Sequence, residues 1–502
     1  MNIDVDVVVV GGGPVGTTAL ALCGRAGLTA IAFEKDAELW PTARAVHFDG
    51  ETMRTLQGLG VATRFQEVTI PMRDVAIVNE AGEVLVHAPT DRIGEQGWND
   101  HISFHQPDIE YLLREVVAQT PGIELRCGVK VTDVADADGG VVVTTVDGDG
   151  TVGTTRARWA IVADGARSEI RHALGIESDK YGEDMQWLVV DGRLVDAPGY
   201  EPDMIQFGRH TRPALWLRLP GDRVRMEFML MPDDDPAEIV TPAAVERISR
   251  GALPADKFTP DRQAIYTFRG RIAQKWRQGN IFLAGDAAHQ APPLFGQGLC
   301  AGIRDVANLV WKLDLVARGV ADPSLLDTYE SERKPHATFW VETAANQAVI
   351  IQTTDPNVAH GRDEYIRANP GASAVPEPPA LGPGLHTGED SGGGRLGPQP
   401  ILADGTRLDD MVGAHFLVAA DHSVYDGLSG PLRRALDEDP DTVTLLDPAK
   451  ISWLLETIGS RAAVLRPDHY ILGVAETAAE LERLLLLIPS LSTTVDLAAE
   501  SR

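Results

Sequence analysis

Residues 281–313 read IFLAGDAAHQAPPLFGQGLCAGIRDVANLVWKL, and this stretch decides how the chain folds. Ile281, Phe282 and Leu283 form a short apolar run that stops at Ala284-Gly285, and Asp286 sets a carboxylate where the chain leaves that strand. A carboxylate so placed can grip a hydroxyl-rich ligand. Pro292, Pro293, Gly296 and Gly298 predict a stiff loop, followed by a helix whose apolar stripe is Leu299, Ile303, Val306, Val310, Leu313 and Ala317. Steps of four and three put that stripe on one buried face. The start of such a helix offers free N–H groups and a positive dipole end to an anionic ligand.

Working outward, the N-terminus supplies the partner of this stretch. Val5 to Val10 is a continuous apolar run, as expected of a parallel strand covered on both faces. It opens onto GGGPVG, with Gly11, Gly13 and Gly16 at the spacing G-x-G-x-x-G and Pro14 and Val15 starting a helix. A second strand runs from about Thr29 to Phe33, and Glu34 ends it, eighteen residues after Gly16, with Lys35 following. Together these predict a dinucleotide site. The glycines allow a tight turn and close approach of a pyrophosphate, the helix start faces that anion, and Glu34 accepts from ribose hydroxyls.

A third strand end repeats the device: WAIVADGARSEIR places Asp164 on a glycine turn ahead of a short helix. Between these landmarks lie several further elements. A loop carrying Arg44 and His47 precedes a helix from about Asp49, and a hairpin spans residues 75–87. Gln106 stands at the entry of a helix that begins with Pro107. Alternating stretches such as WLVVDGRLV, ALWLRL and RVRMEFMLM predict a mostly antiparallel sheet over residues 181–268. Beyond a proline- and glycine-rich segment at 370–400, HFLVAAD, TVTLLD and AVLRPDHYILG read as strands, and PLRRALDED and TAAELERLLLLI as helices.

Composition sets outer bounds. With 502 residues and 44% hydrophobic content the chain can build about three domains. A formal charge of −28 opposes binding to nucleic acid or an anionic membrane surface. Cys23, Cys127 and Cys300 are few and far apart, which implies neither a disulfide framework nor a metal site and fits a reducing, cytoplasmic setting. No apolar run approaches the roughly 20 residues of a membrane helix.

GGGPVG with Glu34, VADGARSEIR and LAGDAAHQAPPLFGQGLCAGIRDVANLVWKL, in this order, resemble the three signature motifs of the class A flavin-dependent aromatic hydroxylases. ARAVHFDGETM, MEFML and GQGLCAGIRD are similar to the 3-(3-hydroxyphenyl)propionate hydroxylase branch. The resemblance implies an α/β chain: a Rossmann-like FAD-binding domain of the para-hydroxybenzoate hydroxylase type, an antiparallel-sheet substrate domain and a thioredoxin-like C-terminal domain. The expected boundaries are 1–74, 101–180 and 269–369 for the FAD-binding domain, 75–100 and 181–268 for the substrate domain, 370–400 for a linker and 401–502 for the C-terminal domain. That last domain lacks cysteine, so its implied role is packing or dimer formation, with a homodimer as the candidate assembly.

Residue by residue, the resemblance implies that Gly11, Gly13, Pro14, Val15, Gly16, Glu34 and Lys35 hold the adenosine half of FAD. Arg44, Gln106, Asp164, Gly285 and Asp286 fall along the rest of the cofactor chain. Pro293, Gly296 and Gly298 line the isoalloxazine, with the N–H groups near Leu299 and Cys300 at its carbonyl edge. Cys300 departs from the family, where many relatives carry Asn. His289 is either near the flavin or a buried structural residue. The implied reaction takes electrons from NADH or NADPH, forms a flavin C4a-hydroperoxide with O2 and hydroxylates a phenol, 3-(3-hydroxyphenyl)propionate-like or, as the rival reading, a polycyclic phenol in antibiotic tailoring. A non-hydroxylating FAD-binding protein is the remaining alternative. His47 and Tyr266 are the candidates for assisting phenol deprotonation, each with a structural alternative. Arg209, His210 and Arg212 are candidates for a substrate carboxylate, with solvated loop positions as their alternative.

Overall fold

The computed structural model describes residues 3–39, 44–137, 139–196, 201–249, 257–371 and 376–492. Several expected features fall partly outside these residues: positions 1–2 and 138 of the FAD-binding domain, 40–43 of the loop before Arg44, 197–200 and 250–256 of the substrate domain, 372–375 of the linker and 493–502 of the C-terminal region. The chain has a mixed α/β architecture built on two eight-stranded sheets, a four-stranded sheet and a small three-stranded one.

The first sheet is centred on Val5–Val10, in which Val7, Val8 and Val9 are completely buried. Ala30–Glu34 pairs with it on one side and Val152–Val162 on the other, both parallel, and Ile281–Leu283 continues the sheet parallel to Val152–Val162. The registers Val10 with Phe33, Val10 with Val162 and Val162 with Leu283 bring four strand ends to one edge. Gly11, Glu34, Asp164 and Asp286 therefore emerge together, although they are up to 275 positions apart in sequence. The central strand sits where the order turns back, and the crevice beyond such carboxyl ends is where an open parallel sheet binds ligand. The helices Pro14–Arg25 and Gln297–Ala317 follow two of these strand ends. The second carries Ile303, Val306 and Leu313 with no exposure, as the stripe of four-and-three steps requires.

The second sheet is antiparallel except where Met204–Gly208 runs parallel to the hairpin strand Asp74–Asn79. Its long strands Ser178–Leu194 and Phe258–Ala273 pass through positions 180 and 268 without a break. The two faces differ in chemistry. On one, Leu188, Val190, Trp216, Val224, Met226 and Phe228 form an apolar core with Ile239 and Val245. On the other, the registers set Trp187, Val189 and Asp191 beside Met229, Glu227 and Arg225, and beside Tyr266, Ala264 and Arg262. This second face turns toward the first sheet's loops: Arg225 Nη1 donates to the Arg44 carbonyl at 2.9 Å. Leu217, in register with Arg225, joins a small cluster with Met72 and Val46.

The C-terminal sheet has the order Thr442–Leu445, Phe416–Ala420, Ala462–Leu465, Ile471–Ala475, with the first pair parallel and the others antiparallel. Helices Gly430–Glu438, Pro448–Ile458 and Ala478–Leu485 pack around it. Among the described residues no helix is long and apolar enough to cross a membrane.

Candidate active site

At the glycine-rich turn, each glycine does a different job. Gly11 has φ +100°, and a Cβ there would lie 2.4 Å from the Ala163 carbonyl oxygen. At Gly16 a Cβ would fall 1.9 Å from the Gly11 carbonyl oxygen, so both positions are fixed by backbone packing. Gly13 is different. A Cβ there would meet nothing within 4 Å, so the turn is open on the side that faces outward from the sheet edge. No side chain caps the helix that begins at Pro14 and no acid occupies its first turn, which leaves its N–H groups available to an anion. Glu34 accepts from the Gly12 N–H at 2.7 Å and the Asp36 N–H at 2.9 Å and so braces the turn from the second strand. Lys35 beside it is exposed.

The two strand-end aspartates keep unused acceptors. Asp164 takes the Ile170 N–H on Oδ2 at 3.3 Å, while its buried Oδ1 has no partner. Burial raises its carboxyl above the ordinary range, against hydrogen bonds from Ser168 and Ile170. Asp286 is exposed and accepts no hydrogen bond from the described residues. The surrounding protein mass pushes its carboxyl up, opposed by His289 and Arg44. The buried Asp164 oxygen is costly to leave unpaired, whereas Asp286 reaches solvent, and both stand at the crevice edge.

The turn that presents Asp286 is locked from behind. Gly285 has φ +58°, its would-be Cβ lies 3.2 Å from Val15, and a Cβ at Gly302 would lie 2.7 Å from the same valine. Asp305, completely buried, accepts from the Gly285 N–H at 3.0 Å, from His289 at 2.7 Å and from Arg333 at 3.1 Å. Burial pushes that carboxyl up, but His289 and Arg333 hold it below its usual range. His289 also stacks on Trp276, so its ring is held by protein on both counts.

The start of the helix Gln297–Ala317 meets His47. Gly296 is left-handed at φ +64°, and a Cβ there would lie 2.7 Å from His47 Nδ1. His47 Nε2 is within 3.0 Å of His101 Nδ1, and burial, with His101 next, lowers the imidazole to about 4. Both ring nitrogens thus face protein. Cys300 Sγ lies 3.9 Å from the His47 carbonyl, and burial raises its thiol so far that it stays protonated. Pro293 is exposed in the preceding turn, and a Cβ at Gly298 would project into open space. Leu299 is half-buried. Gln106 Oε1 accepts from the Arg44 and Ala45 N–H groups at 2.9 and 2.8 Å, and its amide donates to Glu110, so it clamps the loop. Although read as lying outside the helix, Gln106 is its first residue.

Opposite, on the inward sheet face, the Tyr266 hydroxyl accepts from Arg262. Arg225 makes a 2.7 Å pair with Asp191, and Arg262 approaches the same carboxylate at 3.7 Å. The three cationic candidates between residues 209 and 212 are engaged locally instead: Arg209 lies over Phe207, His210 faces Glu80 and Arg212 pairs with Asp234. Residues 223–229, RVRMEFM, alternate as a solvent-facing strand would, so Arg225 and Glu227 are not legible as site residues. Both are buried. Asp305 was within the deciding stretch but gave no sign of its three partners.

The FAD binding domain family matches residues 4–344. Over 503 aligned residues the chain is 35% identical to the probable NADH-specific resorcinol 4-hydroxylase of Rhodococcus jostii (strain RHA1), covering 95% of this chain and 93% of that protein. It is also 35% identical over 375 residues to the 3-(3-hydroxy-phenyl)propionate/3-hydroxycinnamic acid hydroxylase of Mycobacterium sp. (strain JLS), covering 74% of this chain and 64% of that longer protein. Among solved structures, the flavin-dependent monooxygenase PieE in complex with FAD and substrate superposes with a TM-score of 0.82 at 21% identity, covering 98% of this chain and 100% of that one. Aklavinone-11 hydroxylase in a ternary complex with FAD and aklavinone gives 0.76 at 25% identity, with coverage of 97% and 99%.

Proposed function

The chain belongs to the FAD binding domain family and is an FAD-dependent aromatic hydroxylase reduced by a nicotinamide cofactor, and from that premise we propose that its substrate is a small uncharged phenol of the resorcinol type. We assign FAD to the crevice over the four strand ends. Gly11, Gly13, Pro14, Val15 and Gly16 with the helix start receive the pyrophosphate, and Glu34 and Lys35 border the ribose end. Arg44, Gln106, Asp164, Gly285 and Asp286 follow along the chain. Pro293, Gly296, Gly298, Leu299 and Cys300 border the ring. What supports the fit is the set of unmet demands: an orphan oxygen on Asp164, an unpartnered carboxylate on Asp286 and open space at Gly13 and Gly298. Once bound, FAD supplies the redox chemistry, accepting hydride from NADH and passing one atom of O2 to the ring. The protein's own share is placement and exclusion of water, with His47 and the Tyr266 face closing on either side of the substrate.

The observation that carries the choice of an uncharged phenol is the state of the inward-facing arginines. Arg225 is bonded to Asp191 and to the Arg44 carbonyl, and Arg262 donates to Tyr266 and lies 3.7 Å from Asp191, with its buried Nη1 still without a hydrogen-bond partner. A propionate side chain would need a buried cation to offset its desolvation. Around the level of Asp191 the two cations, Arg225 and Arg262, are matched by two carboxylates, Asp191 and Glu227, which leaves no surplus positive charge for a propionate. The 3-(3-hydroxyphenyl)propionate reading suggested by the motifs is therefore placed second. We also read the C-terminal unit, with strand and helix order βαβαββα, as thioredoxin-like, and a cytoplasmic setting as fitting three free thiols.

The test is anaerobic stopped-flow reduction of the yellow protein by NADH with resorcinol, 3-(3-hydroxyphenyl)propionate or a polycyclic phenol present. Resorcinol is expected to speed flavin bleaching at least tenfold over no ligand and to give a dihydroxylated product aerobically. Stimulation by the phenylpropionate or the polycyclic phenol alone sinks the proposed substrate.

A further inference from the structure

We propose that Glu227 is the base that receives the substrate's phenolic proton. The inference rests on the hydroxylase reading above and deepens it. Glu227 lies on the inward face of the second sheet, opposite Val189 on one neighbouring strand and Leu215 on the other. It is only 6% exposed, yet its carboxylate accepts no hydrogen bond and enters no ion pair among the described residues. Its oxygens are not among the sealed, unpartnered atoms, so they open on accessible space at this face, and the neighbouring guanidinium does not occupy them, because Arg225 gives hydrogen bonds to Asp191 and the Arg44 carbonyl. Two strand positions away from the level of Val189 on the same face, Trp187 is 2% exposed and its indole N–H also lacks a partner. One face thus carries an unpaired acceptor that opens on accessible space and, near it, a buried donor without a partner. A hydroxylated aromatic ring satisfies both.

The face looks at the right place. Arg225 holds the Arg44 carbonyl, three residues later His47 abuts Gly296, and Gly296 starts the helix at which the flavin ring is assigned. His47 is the less suitable base: Nε2 is taken by His101, and although Nδ1 has no hydrogen-bond partner, burial lowers the imidazole to about 4. The charged groups facing Glu227 are Arg225 on its own strand and Asp191 on the adjacent one. Burial raises its carboxyl to about 6, Arg225 opposing and Asp191 adding to the rise. The carboxylate is thus ionised at neutral pH and still a better proton acceptor than an ordinary glutamate. In the step itself the phenol O–H bond breaks and its proton passes to Glu227 Oε. The electron pair left on oxygen pushes through the ring, which forms a C–O bond to the distal oxygen of the peroxide that reduced FAD and O2 would supply. The O–O bond would break with its electron pair leaving on the other oxygen, released as water, and the ring oxygen becomes a carbonyl. Loss of the ring C–H proton to water restores aromaticity as Glu227 returns its proton to that oxygen, leaving the carboxylate ready again.

The experiment uses the FAD-loaded full chain and resorcinol. Product formed per NADH oxidised is followed from pH 6 to 10 for the wild type, Glu227→Gln and Glu227→Asp. At pH 7, Glu227→Gln is expected to lose at least tenfold in hydroxylated product per NADH, with the balance appearing as hydrogen peroxide. The loss should shrink toward pH 10, where a phenol ionises unaided near its ordinary value of about 10, and Glu227→Asp should recover part of it. A Glu227→Gln profile that overlays the wild type overturns the assignment. Should Glu227→Gln fail to fold, the near-UV difference spectrum of resorcinol bound to the wild type decides. Titrated with resorcinol at pH values from 5 to 8, it should give an affinity that rises through a midpoint near 6 as Glu227 ionises and accepts from the phenol, which supports the assignment, and an affinity unchanged over that range overturns it. If the wild type hydroxylates none of the three phenols, the hydroxylase substrate reading fails and this assignment falls with it, a result distinct from a wild type that works and a variant that works equally well.

Discussion

Gly13 and Gly16 stand three residues apart in one turn, and they separate what the fold needs from what the ligand needs. A methyl group at Gly16 would overlap the Gly11 carbonyl oxygen at 1.9 Å, whereas one at Gly13 meets nothing within 4 Å and the backbone there, at φ −72°, suits any residue. Gly13→Ala is therefore expected to leave the melting temperature of the apo-protein unchanged or slightly raised, since alanine restricts the unfolded chain by about 0.4–1 kcal/mol. The same variant should bind FAD at least tenfold more weakly, because the added methyl occupies the space assigned to the pyrophosphate. Gly16→Ala should fail to fold or lose several kcal/mol. Flavin fluorescence titration and calorimetry on both variants check this, and a Gly13→Ala protein with unaltered FAD affinity removes the pyrophosphate from the turn. The G-x-G-x-x-G spacing announced these glycines because a turn is local. It did not announce Glu227, whose alternation with Val224, Met226 and Phe228 is the pattern of a strand with one wet face. Here the second face is covered by another sheet's loops, and a period of two has no way to tell a covered polar face from a solvated one.

At the scale of elements, two aspartates on the deciding stretch have opposite duties. Asp305, about two turns inside the helix Gln297–Ala317, ties that helix to the Gly285 turn, to His289 and to Arg333 on the helix Thr328–Ile351. Asp286, on the turn itself, is exposed and accepts from none of the described residues. Asp305→Asn should destabilise the apo-protein by about 3 kcal/mol, since removing one charge of a buried set strands the others. Asp286→Asn should leave apo stability within about 0.5 kcal/mol, as an exposed substitution does, and still weaken FAD binding. Urea unfolding of both apo-variants with FAD titration separates them. Equal stability losses would erase the distinction between scaffold and ligand carboxylate. The strand, turn and helix that carry them were legible as periodicity. The helices Pro356–Ala368 and Pro448–Ile458 were passed over, although Asp355 and Asp447 cap them just ahead of a proline in each case. Apolar content drew attention to strands there, and the capping signal was the better guide.

Across the whole molecule, the C-terminal unit is held to the flavin-side helices by buried charge rather than by apolar contact alone. Glu332 accepts from Arg466 at 2.8 Å and Lys312 at 2.7 Å, Asn308 bridges Glu332 and Asp468, and Tyr470 donates to Glu51 at 2.8 Å. These partners are as much as 419 residues apart, so nothing in their local sequence marks them. Burial pushes the Glu332 carboxyl up, but Arg466 and Lys312 hold it far below the usual carboxylate range. A carboxylate depressed in the folded state adds stability that is fully present above its unfolded value of about 4.5 and is lost as pH falls below it. Acidification from pH 5 to 3 should thus release the C-terminal unit, read as new cleavage within residues 376–400, by pepsin in acid and by trypsin at Arg395 near neutral pH. Glu332→Gln should bring the same cleavage to pH 7 and cost about 3–5 kcal/mol, because Lys312 and Arg466 are then left with Asp468 as the sole facing carboxylate. Removing the cations along with the acid, in a Lys312→Met, Glu332→Leu, Arg466→Met variant, should recover most of that loss. If Glu332→Gln stays within 1 kcal/mol of the wild type and remains uncut, the apolar cluster of Trp311, Leu315 and Phe416 is what fastens the unit, and the charges only set its register.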